Sequence, residues 1–139
     1  VPIVLTNHAG TRIAAIHAGW RGLANDIIAN TIQHMACHDL IAWIGPCICW
    51  KCYPVGNEVR AHFCRQLPQQ ERAFTAHNQR WHADLRMISH IQLRHYGVET
   101  VYQSAHCTYH STTPFFSARR QGIHSGRIAT CISIDHNLH

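Results

Sequence analysis

Three stretches concentrate side chains able to do chemistry. The first is His17-Ala18-Gly19-Trp20-Arg21-Gly22. Its two glycines let main chain approach a ligand closely. The meeting of a strand end and a helix start presents backbone N–H groups and a positive dipole end to an anion. Arg21 adds a fork suited to a bidentate phosphate contact, and His17 stands where a metal ligand or a general base would be useful. A tight turn with a packed Trp20 and a solvated Arg21 accounts for the same residues without chemistry.

The second stretch is Gly45-Pro46-Cys47-Ile48-Cys49-Trp50-Lys51-Cys52-Tyr53. Cys49 and Cys52 have the two-residue spacing shared by zinc sites and redox pairs. No second such pair follows at a suitable distance, so the pattern does not support a zinc ribbon or finger. The expectation is small thiols packed beneath a loop. The third stretch joins Cys107-Thr108-Tyr109, Phe115-Phe116-Ser117-Ala118-Arg119-Arg120 and Gly126-Arg127. Aromatics beside paired arginines suit a flat ring next to a phosphate or sugar; core phenylalanines beside solvated arginines are the alternative.

The elements that must position these residues follow from periodicity. Val1–Thr6 and Arg12–Ile16 read as two strands joined by the turn residues Asn7-His8-Ala9-Gly10. Leu23, Ile27, Ile28, Ile32 and Met35 fall at helical spacing and predict a helix to about Cys37. Leu40–Ile44 predicts a buried strand stopped by Gly45-Pro46. Val55, Val59, Phe63 and Leu67 mark a second helix ended by Pro68. Pro68 to Gln79 reads as a polar surface loop. Asp84 is placed to cap a third helix through Leu85, Ile88, Ile91, Gln92 and His95 that Gly97 closes. Val98–Gln103 and Arg127–Ile134 are the last predicted strands. Loose alternation of strands and helices predicts an α+β fold, a layered α/β sandwich of mixed sheets flanked by helices, as one domain over residues 1–139. Because Val1 begins in mid-strand without a methionine, native sequence is expected ahead of it.

Composition narrows the function classes. The chain has 139 residues and is 46% hydrophobic, enough for a single buried core. No apolar run approaches the roughly 18 to 20 residues of a membrane span, and no signal peptide is visible, so no membrane partner is expected. Basic residues outnumber acidic ones by 12 to 7 but are scattered, so nucleic acid is not expected as a partner. Seven cysteines, an odd number in a chain that needs no disulfide staples, point to reduced thiols and a cytoplasmic protein.

Taken in order, HAGWRG, GP-x-I-x3-CYPVG and CTY…FFSARR…GR resemble the YfiH family of laccase-domain proteins, also called multicopper polyphenol oxidoreductases. The resemblance runs from Val1-Pro2 to Ile134. It implies a layered fold similar to that of cysteine-hydrolase-like bacterial toxins. It also implies a metal-dependent enzyme of purine nucleosides: phosphorolysis of adenosine, inosine or methylthioadenosine, and deamination of adenosine. Copper-dependent polyphenol oxidation and editing of peptidoglycan precursors are further activities ascribed to the family, and a non-catalytic metal or thiol module is the remaining alternative. The family's metal site is a histidine, a cysteine and a second histidine. His17 matches the second histidine; the cysteine would fall just ahead of Val1, and the first histidine further upstream. The implied cofactor is zinc, with copper as the alternative and phosphate as co-substrate. Residue type then nominates Arg21, Arg119 and Arg120 to hold phosphate, and Phe116 or Tyr109 to touch the base. The expected partners are a small nucleoside and phosphate, with a homodimer as one assembly open to the chain.

Overall fold

The two N-terminal strands pair as their turn residues predict. In a computed structural model that describes residues 1–135, β1 (Pro2–Asn7) and β2 (Ile13–His17) form an antiparallel hairpin with Pro2 opposite His17 and Thr6 opposite Ile13. Residues 136–139 of the expected domain lie outside that description. Asn7 builds the turn: its side-chain Oδ1 accepts from the N–H groups of Thr11 and Arg12, both at 2.9 Å. Gly10 takes the left-handed conformation there, at φ +66°.

The predicted helix from Leu23 to Cys37 is two helices, α1 (Trp20–Ala24) and α2 (Ile27–Met35). The break falls at Asp26, in the left-handed region at φ 57°. Aspartate tolerates that region better than most residues, and tertiary contacts hold it: the Gln66 amide donates to the carboxylate at 2.6 Å and the Tyr96 hydroxyl at 3.3 Å. Apolar periodicity survives the break because both segments face one core.

β3 (Leu40–Ile44) lies where predicted. The short strand β4 (Pro54–Val55) and α3 (Asn57–Gln66) follow. The expected polar loop instead holds a 3-10 turn over Pro68–Ala73 and a hairpin of β5 (Phe74–His77) and β6 (Arg80–Ala83). Its two-residue connection, Asn78-Gln79, has positive φ at both positions, 48° and 61°. That is the primed hairpin turn normally marked by Asn-Gly, and glutamine conceals the signal. α4 (Leu85–His95) carries the predicted cap, Asp84 accepting from the Met87 N–H at 3.0 Å. β7 (Thr100–Gln103) and α5 (Ala118–Gln121) complete the elements.

One sheet has the order β2-β1-β3-β7, antiparallel except for the β3–β7 pair, and the second has the antiparallel order β4-β6-β5. Ile3, Leu5 and Ile44 of the first sheet and Leu23, Ile28, Phe63, Ile88 and Leu93 of the helices are buried together in one core. The α+β class and the mixed sheets flanked by helices match the expectation. Arg127–Ile134 does not form the predicted strand. Ile128 and Thr130 line a cavity of about 230 Å³ together with residues of β1 and β2, and Ile128 stays 41% exposed. A buried amide chain ties the helices together. Gln92 donates to the Leu23 carbonyl and to Gln70 Oε1, both at 3.1 Å, and the Gln70 amide donates to the Phe63 carbonyl at 3.1 Å.

Candidate functional site

All three chemistry-bearing stretches contribute to one cleft of about 370 Å³, whose lining includes His17, Cys47, Phe116, Arg119 and Arg127. Strand register assembles it. Pro2 opposite His17 sets the end of β2, and the Gly45 N–H donates to the Pro2 carbonyl at 2.9 Å, carrying the chain after β3 to the same edge. Beyond the strand ends, Cys47 and Cys107 form an isolated parallel bridge, and the Thr108 N–H donates to the Cys47 carbonyl at 3.1 Å. The loops after β3 and β7 therefore lie side by side. Phe116, 51% exposed, lies flat on Gly126, where an added Cβ would meet the ring at 2.7 Å. Only glycine permits that approach.

His17 is exposed at the cleft lip, its Nε2 near Gly19, where a Cβ would come to 3.5 Å. Among the described residues His17 belongs to no group of three or more metal-ligating side chains. These residues alone do not make up the metal site that the resemblance implies. Arg119 lines the cleft and stacks over the Tyr53 ring at 4.9 Å. Burial pushes the Tyr53 phenol up, and the Arg119 and Arg21 cations pull partly against it. Arg21 stacks on Trp20 at 4.8 Å and stands outside the cleft lining. Burial likewise pushes the Cys47 thiol up, opposed by Arg86, whose Nη2 lies 3.8 Å from the sulfur.

Besides Arg21, two nominated residues stand elsewhere. Arg120 turns inward and donates to three main-chain carbonyls, those of Thr108 at 2.8 Å, Tyr109 at 2.5 Å and Phe115 at 2.8 Å. Both terminal nitrogens are thereby engaged with the loop that carries Phe116 and Arg119, which makes Arg120 a strut of the cleft wall. Tyr109 is outside the cleft lining and meets His110 edge-on, with ring centroids 5.8 Å apart. A larger groove of about 750 Å³ runs along β2 and α2 and contains none of the nominated residues.

Behind the cleft wall, Cys49, Cys52, Cys107 and His110 bring four ligand atoms within 4.8 Å of one another, an arrangement able to hold a metal ion. The expected thiols beneath a loop are thus joined by Cys107 and His110. The missing second pair is Cys107-x2-His110, hidden because one member is a histidine and because β4 to β7 intervene. Burial, followed by the neighbouring Cys49 and Cys107, pushes the Cys52 thiol up to about 12. Cys107 moves the other way. Burial raises it, but backbone N–H groups of His110, Cys49 and Tyr109 aimed at its sulfur outweigh that and hold it below the usual thiol range.

No helix among the described residues is long and apolar enough to cross a membrane. The chain is 36% identical over 134 residues to Escherichia coli purine nucleoside phosphorylase YfiH, covering 95% of this chain and 55% of that protein. It is 38% identical over 144 residues to adenosine deaminase RL5 of an unknown prokaryotic organism, covering 95% of this chain and 54% of that one. Among solved structures, Neisseria meningitidis protein NMB0706 superposes with a TM-score of 0.84 at 38% identity, over 87% of this chain and 51% of that chain. Geobacillus stearothermophilus YlmD superposes with a TM-score of 0.77 at 29% identity, over 86% of this chain and 48% of that one. The chain thus spans about half the length of the relatives it matches. The sequence profile described as multi-copper polyphenol oxidoreductase laccase matches residues 1–135, and the chain belongs to that family.

Proposed function

We propose that this chain belongs to a cytoplasmic, zinc-dependent purine-nucleoside enzyme whose principal reaction is phosphorolysis. The observation that carries the reading is the convergence of a cationic side chain, an exposed aromatic ring and an imidazole on one cleft. The names of the relatives support the substrate class. The described cysteines are all free thiols, in keeping with a reducing compartment.

In phosphorolysis a phosphate oxygen bonds to the anomeric carbon of the ribose as the bond to the purine nitrogen breaks. The electron pair leaves with the base, which takes up a proton, giving free purine and ribose 1-phosphate. The reaction needs a held anion, an oriented ring and a proton source. Arg119, which lines the cleft and stacks over Tyr53, is the cation proposed to hold phosphate; Arg127 also lines the cleft, but its Nη1 is engaged with the carbonyls of Ser125 and Gly126. Phe116 offers its face to the base. His17 sits exposed at the cleft lip, within reach of a ligand bound there.

His17 is also the residue that would contribute to the family metal, its partners assigned by resemblance to sequence ahead of Val1. Bound there, zinc would act as a Lewis acid and activate water for deamination. Copper-dependent phenol oxidation is less well supported, because the ligand cluster among the described residues is three thiols and one imidazole rather than a histidine array.

The test uses the full-length protein supplied with zinc. Phosphate-dependent release of hypoxanthine from inosine or adenine from adenosine is expected. Arg119→Ala should raise the phosphate KM about tenfold, equivalent to roughly 1.4 kcal/mol of lost binding. Absence of base release, or an unchanged phosphate KM in the variant, overturns the reading.

A further inference from the structure

We propose that Cys49, Cys52, Cys107 and His110 form a closed, tetrahedral Cys3His zinc site that clamps the loop after β3 to the loop after β7. The site is distinct from the family metal position at His17. It does not rest on the purine reading, since none of its four ligands lines the cleft.

Geometry carries the assignment. Zinc–sulfur bonds of about 2.3 Å and zinc–nitrogen bonds of about 2.0–2.1 Å at tetrahedral angles require S···S edges of about 3.8 Å and S···N edges of about 3.6 Å. Here Cys49 Sγ and Cys52 Sγ are 3.8 Å apart. His110 Nδ1, taken as the one ligand nitrogen, lies 3.8 Å from Cys49 Sγ and 4.0 Å from Cys52 Sγ, within a few tenths of an ångström of those edges. A disulfide needs its sulfurs about 2.05 Å apart, so the Cys49–Cys52 separation fits chelation and not a bridge.

The surroundings agree. Each pair sits on a tight turn, Cys52 closing the 3-10 turn Trp50–Cys52 and Cys107-x2-His110 following β7. The Cys49 N–H donates to Cys107 Sγ at 3.3 Å, the kind of outer contact that orients a metal-bound thiolate. Three thiols and an imidazole, with no lysine, arginine or carboxylate among them, make a soft donor set suited to zinc. With all four positions taken by protein there is no vacancy for water or substrate, so the role is structural. Ile48 and Thr108 line the cleft and each adjoins a ligand, so the metal braces the wall of the active cleft.

The experiment is a metal count on the full-length protein, purified under reducing conditions, combined with cobalt substitution. Zinc content should fall by one equivalent per chain in Cys49→Ser/Cys52→Ser, and His17→Ala should still retain one equivalent that adding Cys49→Ser/Cys52→Ser removes. Cobalt in His17→Ala, where the family position has lost a ligand, should give tetrahedral visible bands and a thiolate-to-cobalt charge-transfer band. His110→Cys, which keeps four soft ligands, should retain the metal and strengthen that band, whereas His110→Ala should bind it more weakly. The His110 pair keeps the test decisive if the double serine variant fails to fold. Unchanged zinc content in a folded double variant, cobalt without thiolate charge transfer, copper recovered in place of zinc, or a Cys49–Cys52 disulfide in folded metal-free protein would each overturn the assignment. Loss of nucleoside phosphorolysis alone would not.

Discussion

Replacing Arg120 with alanine separates its two candidate roles, phosphate ligand and strut. The substitution removes donors from the carbonyls of Thr108, Tyr109 and Phe115. Hydrogen bonds to a charged group are worth about 1.5–3 kcal/mol each. Tyr109 and Phe115 are only half-buried, so water can take over part of that work; Thr108 is 8% exposed and has less access to replacement solvent. The net loss should be about 2–4 kcal/mol, seen in urea denaturation of the full-length protein without phosphate. Arg120→Lys keeps the charge but concentrates its donors at one point, which cannot span three carbonyls; it should recover less than half of the loss. A phosphate ligand would behave differently, with stability unchanged, phosphate KM raised, and lysine restoring much of the binding. An alanine variant within about 0.5 kcal/mol of wild type would refute the strut.

Two further outcomes follow from buried polar groups. Gln92→Leu leaves the Leu23 carbonyl and Gln70 Oε1 without their donor, at about 1–3 kcal/mol each, while removing an Oε1 that is itself unpaired. A net loss of about 2–3 kcal/mol is expected, with Gln70→Leu/Gln92→Leu costing less than the sum of the single changes; strict additivity in a denaturation cycle would contradict the chain of amides. The Tyr53 phenol is raised by burial, so the fold favours its protonated form. The associated stability is intact below the unfolded-chain value of about 10 and is lost as pH rises through that value toward the folded one. Wild type should therefore lose more stability than Tyr53→Phe in alkaline denaturation series, and parallel curves would exclude the effect.

Much of the fold was legible because its signals are local. Strand alternation and turn residues located β1, β2 and β3, and the Asp84 cap with Gly97 bounded α4 to within two residues. The misreadings arise where tertiary contacts override local pattern. Asp26 interrupts a continuous apolar stripe because Gln66 and Tyr96 reach it from distant elements. The β5–β6 hairpin turns on Gln79 in a conformation that glutamine seldom adopts. Arg127–Ile134 has strand composition but pairs with no strand, two of its residues lining a cavity beside β1 and β2.

The sites divide along the same line. Residue type singled out Phe116, Arg119 and His17, which the fold brings to one cleft. It could not separate Arg119 from Arg120, which adjoin in sequence yet point to opposite tasks, one over Tyr53 and into the cleft, the other into loop carbonyls. Nor could it complete the thiol cluster. Cys49-x2-Cys52 is half a site, and its other half depends on the parallel pairing of β3 with β7, continued by the Cys47–Cys107 bridge. A parallel pair needs a long crossover, so the two halves of any site built at its end must be far apart in sequence. The pairing that hides the cluster from a reading of the chain is the one that brings its ligands together.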